Sequence, residues 1–338
     1  MDVISNYYNL SCNCFPYTGM VSKTAVVSLI GLLAMVYQAT QLPPPPKSDP
    51  AARIRLSDGR YLAYREKGVS KNESNYRIVL VHGFGSSKEM NFPASQELIE
   101  SLGIYFVLYD RAGYGESDPN PRRTVKSEAF DIVELADQLQ LGSKLAGVAL
   151  IVPTINYEWP SLPQSLIRTD YRRRLIQWSL WIAKHIPGLL YWWISQKVVP
   201  STSVLERNPV YFSDRDIEVL KTTKGFPMLT QDKLQDRSVF YALRGDVVAA
   251  FGDWGFDPVR LSNPFPHNES SVHIWQGYED KVVPFQLQRF ISRKLSWIKY
   301  HEVRDGGHLI LHYNGMCDYF LRALLVGEES ILFRPKTA

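Results

Sequence analysis

A chain of 338 residues and 38.7 kDa is long for one uninterrupted core and short for three domains, so one large domain with an insertion, or two domains, is expected. Its 45% hydrophobic and 21% charged residues exclude a disordered segment. The 38 Lys and Arg against 34 Asp and Glu leave a net charge of +4, too slight and too dispersed to call for nucleic acid. The dense basic run Arg172-Arg173-Arg174 reads as a solvated helix face. Cys12, Cys14 and Cys317 cannot build a disulfide framework.

The N-terminal region, residues 1–50, stands apart. Ala25 to Tyr37 is apolar, follows Lys23, and is succeeded by Pro43-Pro44-Pro45-Pro46, a stiff extended spacer that no helix continues through. Stretched to Val21–Leu42, the segment reaches the roughly 20 residues that a membrane span requires. A membrane anchor is the expectation, with a secretory signal or a buried helix as the other readings. Lys47, Arg53 and Arg55 after the segment, against Lys23 before it, tilt the main domain toward the cytosol.

From residue 51 the chain alternates strands and helices. Arg53–Leu56 and Tyr61–Lys67 flank the turn Ser57-Asp58-Gly59 and predict a hairpin. Strands follow at Arg77–His82, Ile104–Asp110 and Ala146–Val152, with helices at Glu89–Leu102 and Thr124–Leu141. Residues 156–251 carry five tryptophans, several prolines and helical periodicity over Arg172–Ile186, so a mostly helical cap is expected there. Its Trp and Tyr side chains read either as packing between cap and sheet or as a greasy lid over an apolar substrate. Strands resume at Val272–Gln276 and Ile298–Val303 with a helix at Pro284–Leu295 between them, and Leu309–Leu325 closes the domain. The resulting domains are 1–50, 51–155, the cap at 156–251, and 252–338, in an α/β fold with a mostly parallel sheet covered on both faces.

Candidate chemistry lies at the strand ends, where open parallel sheets place their ligands. His82-Gly83-Phe84-Gly85 is a Gly-rich turn whose N–H groups can face an oxyanion. Asp280 sits on a turn after one strand and His308 on a turn after the next, so that an acid and a base can meet on adjacent tips. VLVHGFGSS (79–87), YDRAGYGESD (109–118), GYEDKVVP (277–284) and DGGHLILH (305–312), with the strand pattern, make residues 52–328 resemble a capped α/β-hydrolase of the membrane-associated plant type. That resemblance implies Asp280 as triad acid, His308 as triad base and the Phe84 backbone N–H as an oxyanion donor. It implies hydrolysis of an ester or related acyl bond in an apolar substrate, with no cofactor and no metal. Asp110, Arg111 and Gly113 to Ser117 are structural turn residues in that picture.

The departure from the pattern is sharper than the match. No G-x-S-x-G nucleophile elbow occurs in the chain. Between Gly115 and Ala146 there is room for one helix only, and the elbow strand, elbow and following helix would need roughly 20–25 residues more. Gly142-Ser143-Lys144 runs straight into Leu145-Ala146-Gly147, which points to an internal deletion at about Lys144/Leu145, from exon skipping or a gene-model error. No nucleophile is therefore assigned, and Thr154 and Asp110 are poor substitutes because neither occupies an elbow. The strand at Ala146–Val152 must either slide into the central slot or leave a gap in the sheet. The expected molecule is an impaired hydrolase, or else a membrane-associated pseudoenzyme that binds a hydrophobic ligand or a protein partner.

Overall fold

The computed structural model describes residues 52–142, 144–194, 211–223, 237–267 and 270–335. The segment Val21–Leu42 and Ser143 lie outside the described residues. Among those described, no helix is long and apolar enough to cross a membrane.

The seven strands among the described residues fall into two separate sheets. Strand β1 (Arg53–Arg55) pairs antiparallel with β2 (Tyr61–Gly68), which is antiparallel to β4 (Ile104–Tyr109), and β3 (Tyr76–Val81) lies parallel to β4, giving the order β1-β2-β4-β3. The second sheet is wholly parallel and runs β5 (Val148–Ile151), β6 (Val272–Gly277), β7 (Ile298–Val303), with helix α8 (Phe285–Lys294) between β6 and β7. Strand β5 has not slid across to β3: among the described residues each of them is hydrogen-bonded along one edge only.

Burial follows the break. Strands β4 and β6 are buried at every position, as interior strands of a covered parallel sheet should be. No residue of β3 or β5 is fully buried, and Val81 and Leu150 are 46% and 38% exposed. Between the two edges lies a cavity of about 1810 Å3 lined mainly by apolar side chains, among them Ile78, Leu80, Ile151 and Phe320. Helix α2 (Val125–Gln138), opened by the Thr124/Ser127 capping box, shows the same asymmetry. Leu135 is fully buried against the β2–β4 side, whereas Val133 faces the cavity at 54% exposure.

One predicted helix begins later than its periodicity suggests. Helix α1 (Gln96–Leu102) starts at Gln96, not Glu89, because Pro93 supplies no N–H and the Ser95 hydroxyl caps the Leu98 N–H at 3.3 Å. The closing helix α9 (Met316–Val326) is preceded by Gly315 at φ 75°, a left-handed break after the single turn Ile310–His312.

The described part of residues 156–251 holds helices and no strand: α3 (Gln164–Ile167), α4 (Tyr171–His185), α5 (Leu190–Ile194), α6 (Asp214–Thr222) and α7 (Arg237–Phe251). Helices α4, α5 and α7 share an apolar core that includes Ile182, Leu190 and Leu243, with the Phe84 ring packed on it. This region is fastened to the β4 tip by charge. Asp246 of α7 is buried and takes bidentate bonds from Arg111 at 2.7 and 2.6 Å, a bond from Arg123 at 2.7 Å and the Tyr114 hydroxyl proton. Burial alone would raise the Asp246 pKa, but the two guanidinium charges outweigh it and hold the carboxyl below its ordinary range. The turn before Arg123 is equally constrained, since Gly115 approaches the buried Asp110 carboxylate so closely that a Cβ would overlap it.

The five tryptophans of this region divide two ways. Trp159 is buried against Trp254, and Trp193 donates its indole N–H to Ser179 Oγ at 2.8 Å, so both serve packing. Trp178, Trp181 and Trp192 are 54%, 44% and 55% exposed, and none of the three lines the cavity. For those three, neither interior packing nor a lid over a pocket describes what the fold does with them.

The two faces of α2 provide a test. Leu135→Ala is expected to cost about 2–5 kcal/mol, and Val133→Ala less than about 1 kcal/mol, because only the former leaves a cavity in a closed core. Urea denaturation midpoints of the two variants, at unchanged slope, read the difference.

Candidate active site at the strand tips

The turn after β3 is held from below by His82. Its Nε2 accepts the Arg111 backbone N–H at 3.0 Å, and Nδ1–H donates to Gly83 O at 2.9 Å. Burial, reinforced by the Arg111 charge, pushes its pKa down to about 3, so the ring is neutral at ordinary pH and its tautomer is set by these two bonds. Gly85 follows at φ 69° and donates to Tyr114 Oη at 3.3 Å. Phe84, between them, borders the cavity.

The turn after β6 is built around Asp280. Its Oδ1 accepts the Val282 and Val283 N–H groups at 2.7 and 2.9 Å, an Asx-type closure. Its Oδ2 accepts from Gln276 Nε2 at 3.1 Å and from His308 Nδ1 at 3.0 Å. The carboxylate is fully shielded, and the His308 side chain is 20% exposed and borders the same cavity as Phe84. The three residues singled out in the sequence thus converge. Asp280 and His308 bond directly across 28 positions of chain, and His308 and Phe84 face one space.

Burial by itself would lower the His308 pKa. The Asp280 charge and hydrogen bond outweigh it, with a smaller contribution from Asp216, and the imidazole sits above its ordinary value. The Nδ1 bond directs Nε2 away from Asp280, the arrangement in which an imidazole accepts a proton with its partner carboxylate stabilising the cation. Among the described residues, no hydroxyl or thiol is hydrogen-bonded to that Nε2. Asp110 is committed to Lys88 at 3.0 Å and to the Lys88 and Glu116 N–H groups, Thr154 is exposed, and burial pushes the Cys317 thiol far up.

Sequence reasoning missed Asp216. This fully buried residue of α6 accepts the His308 and Leu309 N–H groups, each at 2.9 Å, and the Tyr313 hydroxyl at 2.8 Å. It also closes the capping box with Ser213. Tyr313 Oη in turn accepts the Gly307 N–H at 2.9 Å. Gly307 is the residue that lets α6 come this close, since a Cβ there would overlap the Asp216 carboxylate. The loop bearing His308 is therefore gripped from the helical region as well as from Asp280. The S-x-x-D pattern at Ser213–Asp216 predicts a cap, but nothing in it announces a partner about a hundred residues away.

No family model matches the chain. One curated relative matches over 51 residues at 39% identity, the thiohydrolase aneE of Aspergillus aculeatus, and the match spans 15% of this chain and 16% of that protein. Among solved structures, a membrane phospholipase A described as a bacterial virulence factor aligns at TM-score 0.53 and 15% identity, over 92% of this chain and 93% of its own. A bromoperoxidase from Bacillus anthracis aligns at TM-score 0.52 and 15% identity, over 81% and 100%. Rv0554 from Mycobacterium tuberculosis aligns at TM-score 0.52 and 13% identity, over 80% and 95%. The chain has the α/β-hydrolase fold.

His308 provides a test of the site in the chain as it stands. Because its folded pKa is raised, the Asp280–His308 pair adds stability that is full below the unfolded histidine pKa of about 6.5 and fades as pH rises through the folded value. NMR titration of His308 should show a midpoint above that of a free histidine. Asp280→Asn should lower it the most and Asp216→Asn less, and both should flatten this part of the stability–pH curve.

Proposed function

We propose that the chain is the scaffold of a serine hydrolase that acts on ester-like acyl bonds in apolar substrates, and that this form of it lacks the nucleophile and does not turn over. In the parent activity, a serine on an elbow between β3 and β5 gives its proton to His308 Nε2 as it attacks the acyl carbon. Asp280 fixes the His308 tautomer and stabilises the imidazolium, and the Phe84 N–H stabilises the oxyanion together with the N–H that follows the serine. His308 then protonates the leaving group, and water completes the cycle by the same steps. The groups required of this chain need neither metal nor cofactor.

The observation that carries this reading is the position of the cavity. It lies between the two unpaired strand edges, beside the junction at Lys144 and Leu145, and both His308 and Phe84 border it. A central strand with an elbow and helix would supply the missing pairing, cover Val81, Val133 and Leu150, and bring a hydroxyl to His308. An internal deletion at about Lys144/Leu145 accounts for all of these together. A second reading rests on the same space: its apolar walls suit a hydrophobic ligand held without turnover, as a pseudoenzyme would hold it. The apolar segment at residues 21–42 belongs to the proposal as a membrane anchor.

The purified chain is expected to show no fluorophosphonate labelling and no ester turnover above background. The loss relative to an elbow-bearing form should be on the order of a millionfold in kcat. Labelling that disappears in His308→Ala would overturn the assignment of inactivity. Amplification of the transcript across the codons for Asp131 to Val152 tests the deletion. A longer product with G-x-S-x-G between Lys144 and Leu145 marks the active parent, and a product of this length alone would leave the ligand-binding reading.

A further inference from the structure

Helix α4 carries an outward face that the site does not use. Its inward positions Ser179, Ile182 and Ala183 are buried. Its outward positions at helical spacing are Tyr171, Arg174, Trp178, Trp181 and His185, all exposed. The rings are ordered against one another: Trp178 meets Trp181 edge-on at 5.8 Å, and Trp181 stacks on His185 at 5.1 Å. Helix α5, which contacts α4, adds the exposed Trp192. Large apolar side chains clustered on a solvent face are unusual and mark a surface that meets something other than water.

The charge around the rings selects the partner. From Tyr171 to Ile194 the sequence holds no Asp or Glu, and Arg174 and Lys184 are exposed, whereas Arg172 is turned to Asp170 at 3.4 Å and to the Lys281 carbonyl at 3.1 Å. Glu158 reaches the face from the preceding loop, bonded to Gln177 at 2.9 Å. Trp and Tyr with basic neighbours, on a helix lying flat on its own domain, match the depth profile of a bilayer interface: rings at the headgroup level and cations against lipid phosphate. Tyr, Trp and Arg are enriched at protein-binding faces as well, so it is the one-signed charge around these rings that favours an anionic lipid surface.

We propose that the outward face of α4, with Trp192 beside it, docks on an anionic lipid surface. The rings enter the headgroup layer and the Arg and Lys side chains neutralise phosphates. Each basic residue adds about fivefold to the partition on an anionic membrane, and salt weakens it. The helix needs no rearrangement to do this, since its inner face is already packed on the domain.

A probe on the face itself separates this contact from membrane binding by any other part of the chain. In the full chain with Cys12→Ser and Cys14→Ser, Gln177→Cys is labelled with an environment-sensitive nitrobenzoxadiazole fluorophore, and Cys317 stays buried and unlabelled. Glu97→Cys, exposed on α1, is the control position. With vesicles of phosphatidylcholine containing about one-third phosphatidylglycerol, the label at 177 should shift to the blue and brighten several-fold, while the label at 97 stays unchanged. Pure phosphatidylcholine should produce at most a small change. Trp178→Ser with Trp181→Ser should abolish the response at 177 even where the chain still sediments with the vesicles. Sedimenting protein with no response at 177 overturns the proposal and leaves the face to a protein partner. Equal responses at 177 and 97, equal responses on neutral and anionic vesicles, or no sedimentation at all overturn it as well.

Discussion

A strand inside a parallel sheet carries backbone hydrogen-bonding groups along both edges, and both rows need partners. Strands β3 and β5 each satisfy one row, on β4 and β6 respectively, and present the other to the cavity between them. Much of the rest of the architecture answers to this break. Strands β4 and β6, one place in from it on either side, are buried at every position, β3 and β5, which border it, are not, and α2 turns one apolar side to a closed core and the other to open space. An open edge of this kind is also a hazard, because an unpaired apolar strand is a template for association.

Polar fasteners hold together what the sheet does not. Asp246 binds the helical region to the β4 tip through Arg111, Arg123 and Tyr114, and Asp216 binds it to the loop of His308 through two backbone N–H groups and Tyr313. Both carboxylates are buried, where a charge is tolerated only when donors surround it. The energetic logic is the same in each case, and the consequence differs. Asp246 fixes the turn of Arg111 and Tyr114, which reaches the His82–Gly85 turn through its own bonds to His82, Gly83 and Gly85. Asp216 shares the loop on which the imidazole is mounted, so the seating of α6 and the orientation of His308 cannot vary independently.

Much of the site was legible because turn chemistry is local. Gly-rich turns after apolar runs, an Asp two residues before Val282 and a His after Gly306-Gly307 could each be read in short windows, and the sheet alternation put them on one edge. The Asp216 contact was not legible, because it joins residues 216 and 308 through a close approach that only a glycine at 307 allows. The late start of α1 was hidden beneath helical periodicity that continues through Pro93, where backbone geometry overrides pattern. The exposed tryptophans were misjudged for a related reason. Hydrophobicity says that a ring tends to be buried, but helical phase relative to the neighbouring helix decides whether it is.

What the sequence by itself determined was the fold class, the acid and base candidates, the candidate oxyanion turn and the absence of a G-x-S-x-G elbow. All four depend on residue types and spacing within one turn or one strand–helix unit. Only the tertiary structure decided that β5 stays on β6 and leaves a cavity beside β3, that α6 grips the loop of His308, and that α4 presents its rings outward. Each of these turns on which of two surfaces an element meets, and that choice is made by long-range packing between segments whose own sequences allow either outcome.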